Sequence, residues 1–168
     1  PRKATDTLSF AKYYFSTFSK HTEKVSPSYY SVMLNRYQIK VELTATARVG
    51  LQKYHFPKNG EANVVVNLEE SVQSLMARKG TLQSQIKILN DSTISGFRYS
   101  DEWAKDHRVY FTTIFSKPIL KHQLMQGVEN IKGIVANGNK INAVLSFEND
   151  NLPLLVKTGI SYVSEQGA

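Results

Sequence analysis

The chain contains no cysteine, which excludes a disulfide framework, a thiolate metal site and a cysteine nucleophile together. Long apolar runs are missing as well, and no stretch approaches the ~20 apolar residues of a membrane-spanning helix. Basic residues are in excess, 21 Lys+Arg against 14 Asp+Glu for a net charge of +7, but they are scattered and no K/R-rich block occurs. That balance permits an anionic partner. The dispersal argues against nucleic acid, as does the lack of a paired aromatic platform on adjacent strands. Three catalytic signatures are absent: HExxH, a phosphate-binding glycine loop and G-x-S-x-G. The four histidines, His21, His55, His107 and His122, are dispersed, with no pair at i, i+4 and no acids at ligand spacing, so they predict no metal site. The chain opens PRKATDTLSF, without Met or a signal-peptide pattern, and closes GISYVSEQGA. The expectation is a piece of a longer protein.

What is present is period-2 alternation. VELTATARVGL places Val41, Leu43, Ala45, Ala47, Val49 and Leu51 on one side, as in a half-buried strand. KINAVLSF does the same with Ile141, Ala143, Leu145 and Phe147, and LLVKTGISY with Leu154, Val156, Thr158, Ile160 and Tyr162. VYFTTIF (109–115) is apolar or β-branched on both sides and predicts a central strand covered on two faces. Turn signals punctuate these runs as in antiparallel hairpins: Asn35-Arg36, Pro57-Lys58-Asn59-Gly60, and Asn137-Gly138, which suits a type I′ turn. Only LEESVQSLMARKG (68–80) turns helical, with Leu68, Val72, Leu75 and Met76 at helix spacing and Gly80 as a cap. With 168 residues and no linker, the expectation is one domain spanning 1–168. Its class is all-β and mainly antiparallel: a large two-sheet sandwich with at most one short helix.

Chemistry-bearing groups are few. Asp101-Glu102 and Glu69-Glu70 are adjacent carboxylates, but neighbours on a strand point to opposite faces, so neither pair predicts a general acid and base. Tyr29-Tyr30 and the aromatics Tyr13, Tyr14, Phe15 and Phe18 suit either sandwich packing or stacking on sugar rings. Trp103, the only tryptophan, stands among Arg98, Asp101, Glu102, Lys105, Asp106, His107 and Arg108. Flanks so polar predict an indole packed under a loop or presented at an interface.

Taken as a set, four stretches resemble one family. They are FSKHTEKVSPSYYSVML from Phe18, IKVELTATARVGLQKYHFP from Ile39, GFRYSDEWAKDHRVYFTTIFSKP from Gly96, and GISYVSEQGA at the end. In order and spacing they are similar to the amino-terminal domain of glycoside hydrolase family 92, the calcium-dependent exo-α-mannosidases. The likeness runs from about residue 13 to 168 and is weakest over Ser71 to Lys87. It implies a β-sandwich of the supersandwich type joined to a larger (α/α)6-barrel, which supplies the acid, the base and most Ca2+ ligands. It also implies an inverting enzyme acting on mannose-containing glycans, α-1,2-linked first, and export to the periplasm, the cell surface or the medium.

In that setting the sandwich packs on the catalytic barrel and shapes the pocket rim, leaving this chain inactive alone and with no cofactor of its own. Trp103, Asp106, His107, Glu23 and Lys20 are the candidate substrate or interface residues. Departures from the family pattern fall at Lys20 (usually His), Ser28 (usually Gly) and His107 (usually Gln). Arg48 is expected to brace a neighbouring strand or turn through a carboxylate, with substrate contact as the alternative. The docked barrel would require one exposed apolar face on the sandwich. Two alternatives stand beside this reading: an independent carbohydrate-binding module, and a basic nucleic-acid-binding β domain.

Overall fold

A computed structural model describes residues 16–69, 80–101 and 104–168. Among these described residues thirteen strands form: β1 Lys24–Ser26, β2 Tyr29–Leu34, β3 Ile39–Ala45, β4 Val49–His55, β5 Ala62–Asn67, β6 Gly80–Asn90, β7 Thr93–Asp101, β8 His107–Phe115, β9 Ile119–Gln126, β10 Glu129–Ile131, β11 Val135–Gly138, β12 Ile141–Phe147 and β13 Leu154–Ser161. Short 3₁₀ turns at Lys20–Thr22 and Glu165–Gly167 are the only helical elements among the described residues. Nine strands make one sheet in the order β1-β2-β3-β4-β13-β8-β7-β6-β11, and four make a second in the order β10-β9-β12-β5. Every pairing is antiparallel, so the chain is an all-β sandwich, as its alternation predicts.

The core lies between the sheets. Ile86, Ile94, Phe111, Phe115, Leu154 and Val156 face it from the larger sheet; Leu124 and the β12 row Ile141, Ala143, Leu145 and Phe147 face it from the smaller. Each fully buried Ile or Leu contributes about 1.5–3 kcal/mol relative to exposure. The rings of Phe115 and Phe147, 4.9 Å apart, join the two layers. Gly96 lies opposite both Ile86 and Phe111. A Cβ at Gly96 would stand 1.9 Å from the Gln85 carbonyl oxygen, so only glycine lets β7 approach β6 this closely.

Several turns differ from their sequence reading. VELTATARVGL is not one strand, because it folds back between β3 and β4, pairing Ala45 with Gly50. The amide of Thr46 donates to the Val49 carbonyl, and the Val49 amide reaches the Thr46 hydroxyl. The small run Ala45-Thr46-Ala47 buries nothing that would hold a straight strand there. Asn137-Gly138 forms no hairpin turn: it ends β11, which pairs with β6 in the large sheet, while β12 belongs to the small one. The two-residue connection Asn139-Lys140 crosses between sheets, so β11 and β12 are not hairpin partners. Pro57–Gly60 does turn, with the Gly60 amide on the Pro57 carbonyl and Asn59 at φ 63, yet it too links strands of different sheets. Asn35-Arg36 lies within a true hairpin, with Leu34 opposite Ile39.

Strand β8 is central as expected, but only one face is fully covered. Phe111, Thr113 and Phe115 are buried, whereas Ile114 on the other face is exposed. Most of the helix read over 68–80 lies outside the described residues. At its ends, the Leu68 amide donates to Ile141, and Gly80 opens β6 with φ 69.

Family-like motifs turn out to knit loops. Lys117 of FSKP is bonded to the Asp150 carboxylate and to the carbonyls of Leu152 (2.9 Å) and Glu148 (3.4 Å). Asn149 in the same loop donates to the carbonyls of Pro57 and Gly60, at 2.9 and 2.8 Å. Those contacts clamp the 148–153 loop between the Y-x-F-P and FSKP segments.

Candidate functional site

The sequence candidates fall into two groups, both on the nine-stranded sheet. Trp103, with Glu102, lies outside the described residues; its neighbours form the β7–β8 turn. Asp106 takes φ 53, a left-handed conformation that Asp tolerates better than most residues. Its carboxylate grips Arg108 through two bonds of 2.6 and 2.9 Å, and the guanidinium holds the Asp106 carboxyl below its ordinary range. Arg108 also lies over the Tyr99 ring, 5.0 Å from its centroid. Tyr99 stacks on Phe97 at 4.5 Å and shares a 3.0 Å hydroxyl contact with Tyr110. The exposed His107 ring lies 5.8 Å from that of Tyr162 at the end of β13. This is a braced turn with polar groups outermost, able to present hydrogen bonds and an aromatic edge.

The second group lies at the sheet's edge. Lys20 is in the first 3₁₀ turn, and its carbonyl accepts from the Glu23 amide. Glu23 accepts from the Tyr30 hydroxyl at 2.9 Å, which raises the Tyr30 hydroxyl above its usual range. Ser28, where the family favours glycine, has φ 64, a conformation that Gly adopts without strain. The two groups are not brought together. From β2 to β8 the order runs through β3, β4 and β13, four steps of ~4.8 Å, or about 19 Å. Arg48 has no carboxylate partner among the described residues; its carbonyl instead accepts from the Ile160 amide.

Two clusters were not foreseen. Glu42 on β3 accepts from Tyr29 (2.7 Å) and His55 (2.6 Å), with Lys40 and Lys53 at 3.4 and 3.5 Å. The Tyr29 and His55 bonds, aided by the lysines, pull its carboxyl down to about 2. The signal was present as alternating KVE and KYH, but it needs the β3–β4 hairpin to become a cluster. The second is Glu165, whose carboxylate accepts from Lys87 (3.0 and 3.3 Å) and Ser95 (3.0 Å). It ties the last turn across β6 and β7, a contact between distant segments that no local pattern announces.

Among the described residues no three His, Asp or Glu side chains converge as metal ligands. No helix among them is long and apolar enough to cross a membrane.

The family model for the glycosyl hydrolase family 92 N-terminal domain matches residues 2–161. The chain is similar to a family GH92 α-mannosidase from Bacteroides thetaiotaomicron, with a TM-score of 0.83 and 29% identity, covering 91% of this chain and 21% of that one. The same enzyme is solved in complex with mannoimidazole, with identical figures. A GH92 inverting mannosidase from Bacteroides thetaiotaomicron shares the fold at TM-score 0.74 and 24% identity, over 90% of this chain and 20% of that one. The chain therefore spans about a fifth of the length of the solved mannosidases it matches. No curated protein sequence matches it.

Proposed function

This chain belongs to the glycosyl hydrolase family 92 N-terminal domain family, and from that premise we propose that it is the amino-terminal sandwich of an exo-acting, inverting α-mannosidase. Its substrate is α-1,2-linked mannose at the non-reducing end of glycans. The observation that carries this reading is the likeness to a GH92 α-mannosidase over 91% of the chain at 29% identity. The sandwich packs on the catalytic domain of the same polypeptide and shapes the rim of its pocket. Ca2+ belongs to the full-length enzyme, with its ligands outside this chain, and the enzyme acts in an exported compartment.

Within that role the β7–β8 turn is the rim. The Asp106–Arg108 pair and the Arg108–Tyr99 stack fix the path into β8, which presents His107 at that rim; Trp103, outside the described residues, is assigned to the same rim on its sequence setting. Preorganised positioning of this kind contributes through orientation, without chemistry of its own. Lys20 and Glu23, about 19 Å away by strand spacing, serve a separate edge, where Glu23 anchors Tyr30. Mannose release from α-1,2-mannobiose by the full-length protein tests the reading. Activity is expected from the whole enzyme, abolished by chelation, and none from these 168 residues. Trp103→Ala should raise KM while leaving the domain folded. Hydrolysis by the 168 residues alone, lost on Glu23→Gln or Asp106→Asn, would overturn it.

A further inference from the structure

The two sheets have four edge strands among the described residues, β1 and β11 on the larger and β10 and β5 on the smaller. An open edge offers unpaired backbone groups to any other strand, and proteins blunt it with short strands, charges, proline or bulges. Three of these edges are blunted. β1 is three residues long and carries Lys24, β10 is three residues long and carries Glu129, and β11 is four residues long and ends in glycine. β5 differs: Ala62–Asn67 runs for six residues, ANVVVN, with no charge, proline or glycine.

The direction of its backbone groups follows from one bond. The Leu68 amide donates to the Ile141 carbonyl, one step beyond the pair of Asn67 and Asn142 in the same register. Residues of an antiparallel strand alternate between bonding one neighbour and facing away from it. Leu68, Val66 and Val64 are therefore turned to β12, while Asn63 and Val65 present their N–H and C=O at the open edge. Among the described residues no hydrogen bond reaches those groups of Asn63 or Val65. Val64 and Val66 pack on the core, so the Val65 side chain lies on the outer face, where it is 37% exposed. Beyond the strand the chain leaves the edge. The Glu69 amide turns back on the Asn67 side chain at 2.9 Å, and Asn142 of β12 holds the Glu69 carboxylate at 3.2 Å.

The segment Asn63-Val64-Val65-Val66-Asn67 reads the same in both directions. Two copies can thus pair antiparallel about a twofold axis at Val65, with Val65 opposite itself, Val64 opposite Val66 and Asn63 opposite Asn67. Val65, whose backbone groups point outward, then falls in the position that exchanges both N–H and C=O bonds across the axis. Valine meets valine along the pleat, and no charge faces a like charge. Twofold pairing uses the one unblunted edge of each copy and closes, which yields a dimer and not a fibre. We propose that β5 is a dimerisation edge whose occupant is β5 of a second copy of this chain. The two small sheets join into one, in the order β10-β9-β12-β5-β5-β12-β9-β10. This goes beyond the mannosidase reading and does not depend on it.

The full-length protein tests it without an activity readout. Sedimentation velocity should show a dimer that dissociates on dilution. Val65→Lys, which sets two like charges opposite each other, should weaken that dimer by more than about tenfold, and Val65→Thr should leave it intact. Cross-linking reads the register, because this domain has no cysteine of its own. Val65→Cys should form a disulfide between copies, since Cα atoms of such a pair lie about 5.5 Å apart and a disulfide spans about 4.4–6.8 Å. Asn63→Cys alone should form none, because the two copies of position 63 are four residues out of register, about 14 Å. Mixed with Asn67→Cys protein it should cross-link, as peptide mass spectrometry would show. A parent protein that sediments as a monomer at every concentration would overturn the proposal. So would a dimer that Val65→Lys leaves unchanged, or cross-linking of Asn63→Cys on its own.

Discussion

Gly96 is the position where a single methyl group should do most damage. An added Cβ would lie 1.9 Å from the Gln85 carbonyl oxygen and 2.9 Å from its carbon, with Phe111 at 3.0 Å. Real Cβ atoms essentially never approach within 3.0 Å, so β7 must retreat from β6 by about an ångström. The obstacle is backbone in the middle of the sheet and cannot rotate away. Overpacking typically costs ~1–3 kcal/mol, and the upper end applies where backbone has to move. At ~2–4 °C per kcal/mol for a domain of this size, Gly96→Ala should lower Tm by about 6–12 °C. Gly50 is the matched control: it lies in β4 of the same sheet, with no atom within 4 Å of the new Cβ. Its backbone is not left-handed, so Gly50→Ala should raise stability by ~0.4–1 kcal/mol through the unfolded chain. Thermal unfolding followed by circular dichroism reads both. Equal Tm values for the two variants would refute the argument that close β6–β7 approach is what glycine provides here.

Other perturbations follow from the same geometry. Glu42 has its carboxyl lowered from 4.5 to about 2, so its contribution is complete above pH ~4.5 and is lost as pH falls through ~2. The full linkage is ~3 kcal/mol, but its lysine partners are solvated, and screening leaves about 1 kcal/mol. Glu42→Gln should therefore lower the unfolding free energy at neutral pH and approach the parent near pH 2, as urea titrations at both pH values would show. Lys117→Met leaves the Asp150 carboxylate and two carbonyls without their cation; limited proteolysis should then cut within 148–153 faster than in the parent. Leu145→Ala, at a fully buried position, should cost ~2–5 kcal/mol. Leu120→Ala, on the surface, should stay within about 0.5 kcal/mol.

How much of this was legible in the sequence depends on the range of each signal. The β12 row Ile141, Ala143, Leu145 and Phe147 could be read directly, because burial on one face repeats every second residue. The β3–β4 reversal could not, since Ala45, Thr46 and Ala47 fit an alternating strand as well as a turn. Asn137-Gly138 has the right residues for a hairpin, but whether two strands pair depends on which sheet each joins, a tertiary choice. The division into nine and four strands follows from repeated crossovers between the sheets, and those at 56–61 and 139–140, for instance, carry ordinary turn residues. At the candidate site, the Asp106–Arg108 brace was within reach of a local reading. The Glu42 cluster needs the register of the β2–β3–β4 hairpins and the Glu165 cluster needs segments distant in sequence, so neither could be read locally. Trp103 lies outside the described residues, so its role rests on its polar flanks in the sequence, while Tyr99 and Arg108 to either side of it in sequence are held by their own contacts.

Time-resolved proton NMR of α-1,2-mannobiose hydrolysis by the full-length protein is the sharpest check on the proposal that these residues form the sandwich of an inverting exo-α-mannosidase. β-Mannose should appear first and mutarotate to the α-anomer afterwards. Initial release of α-mannose, or no release of mannose from any α-mannoside by a folded, calcium-replete protein, would contradict it.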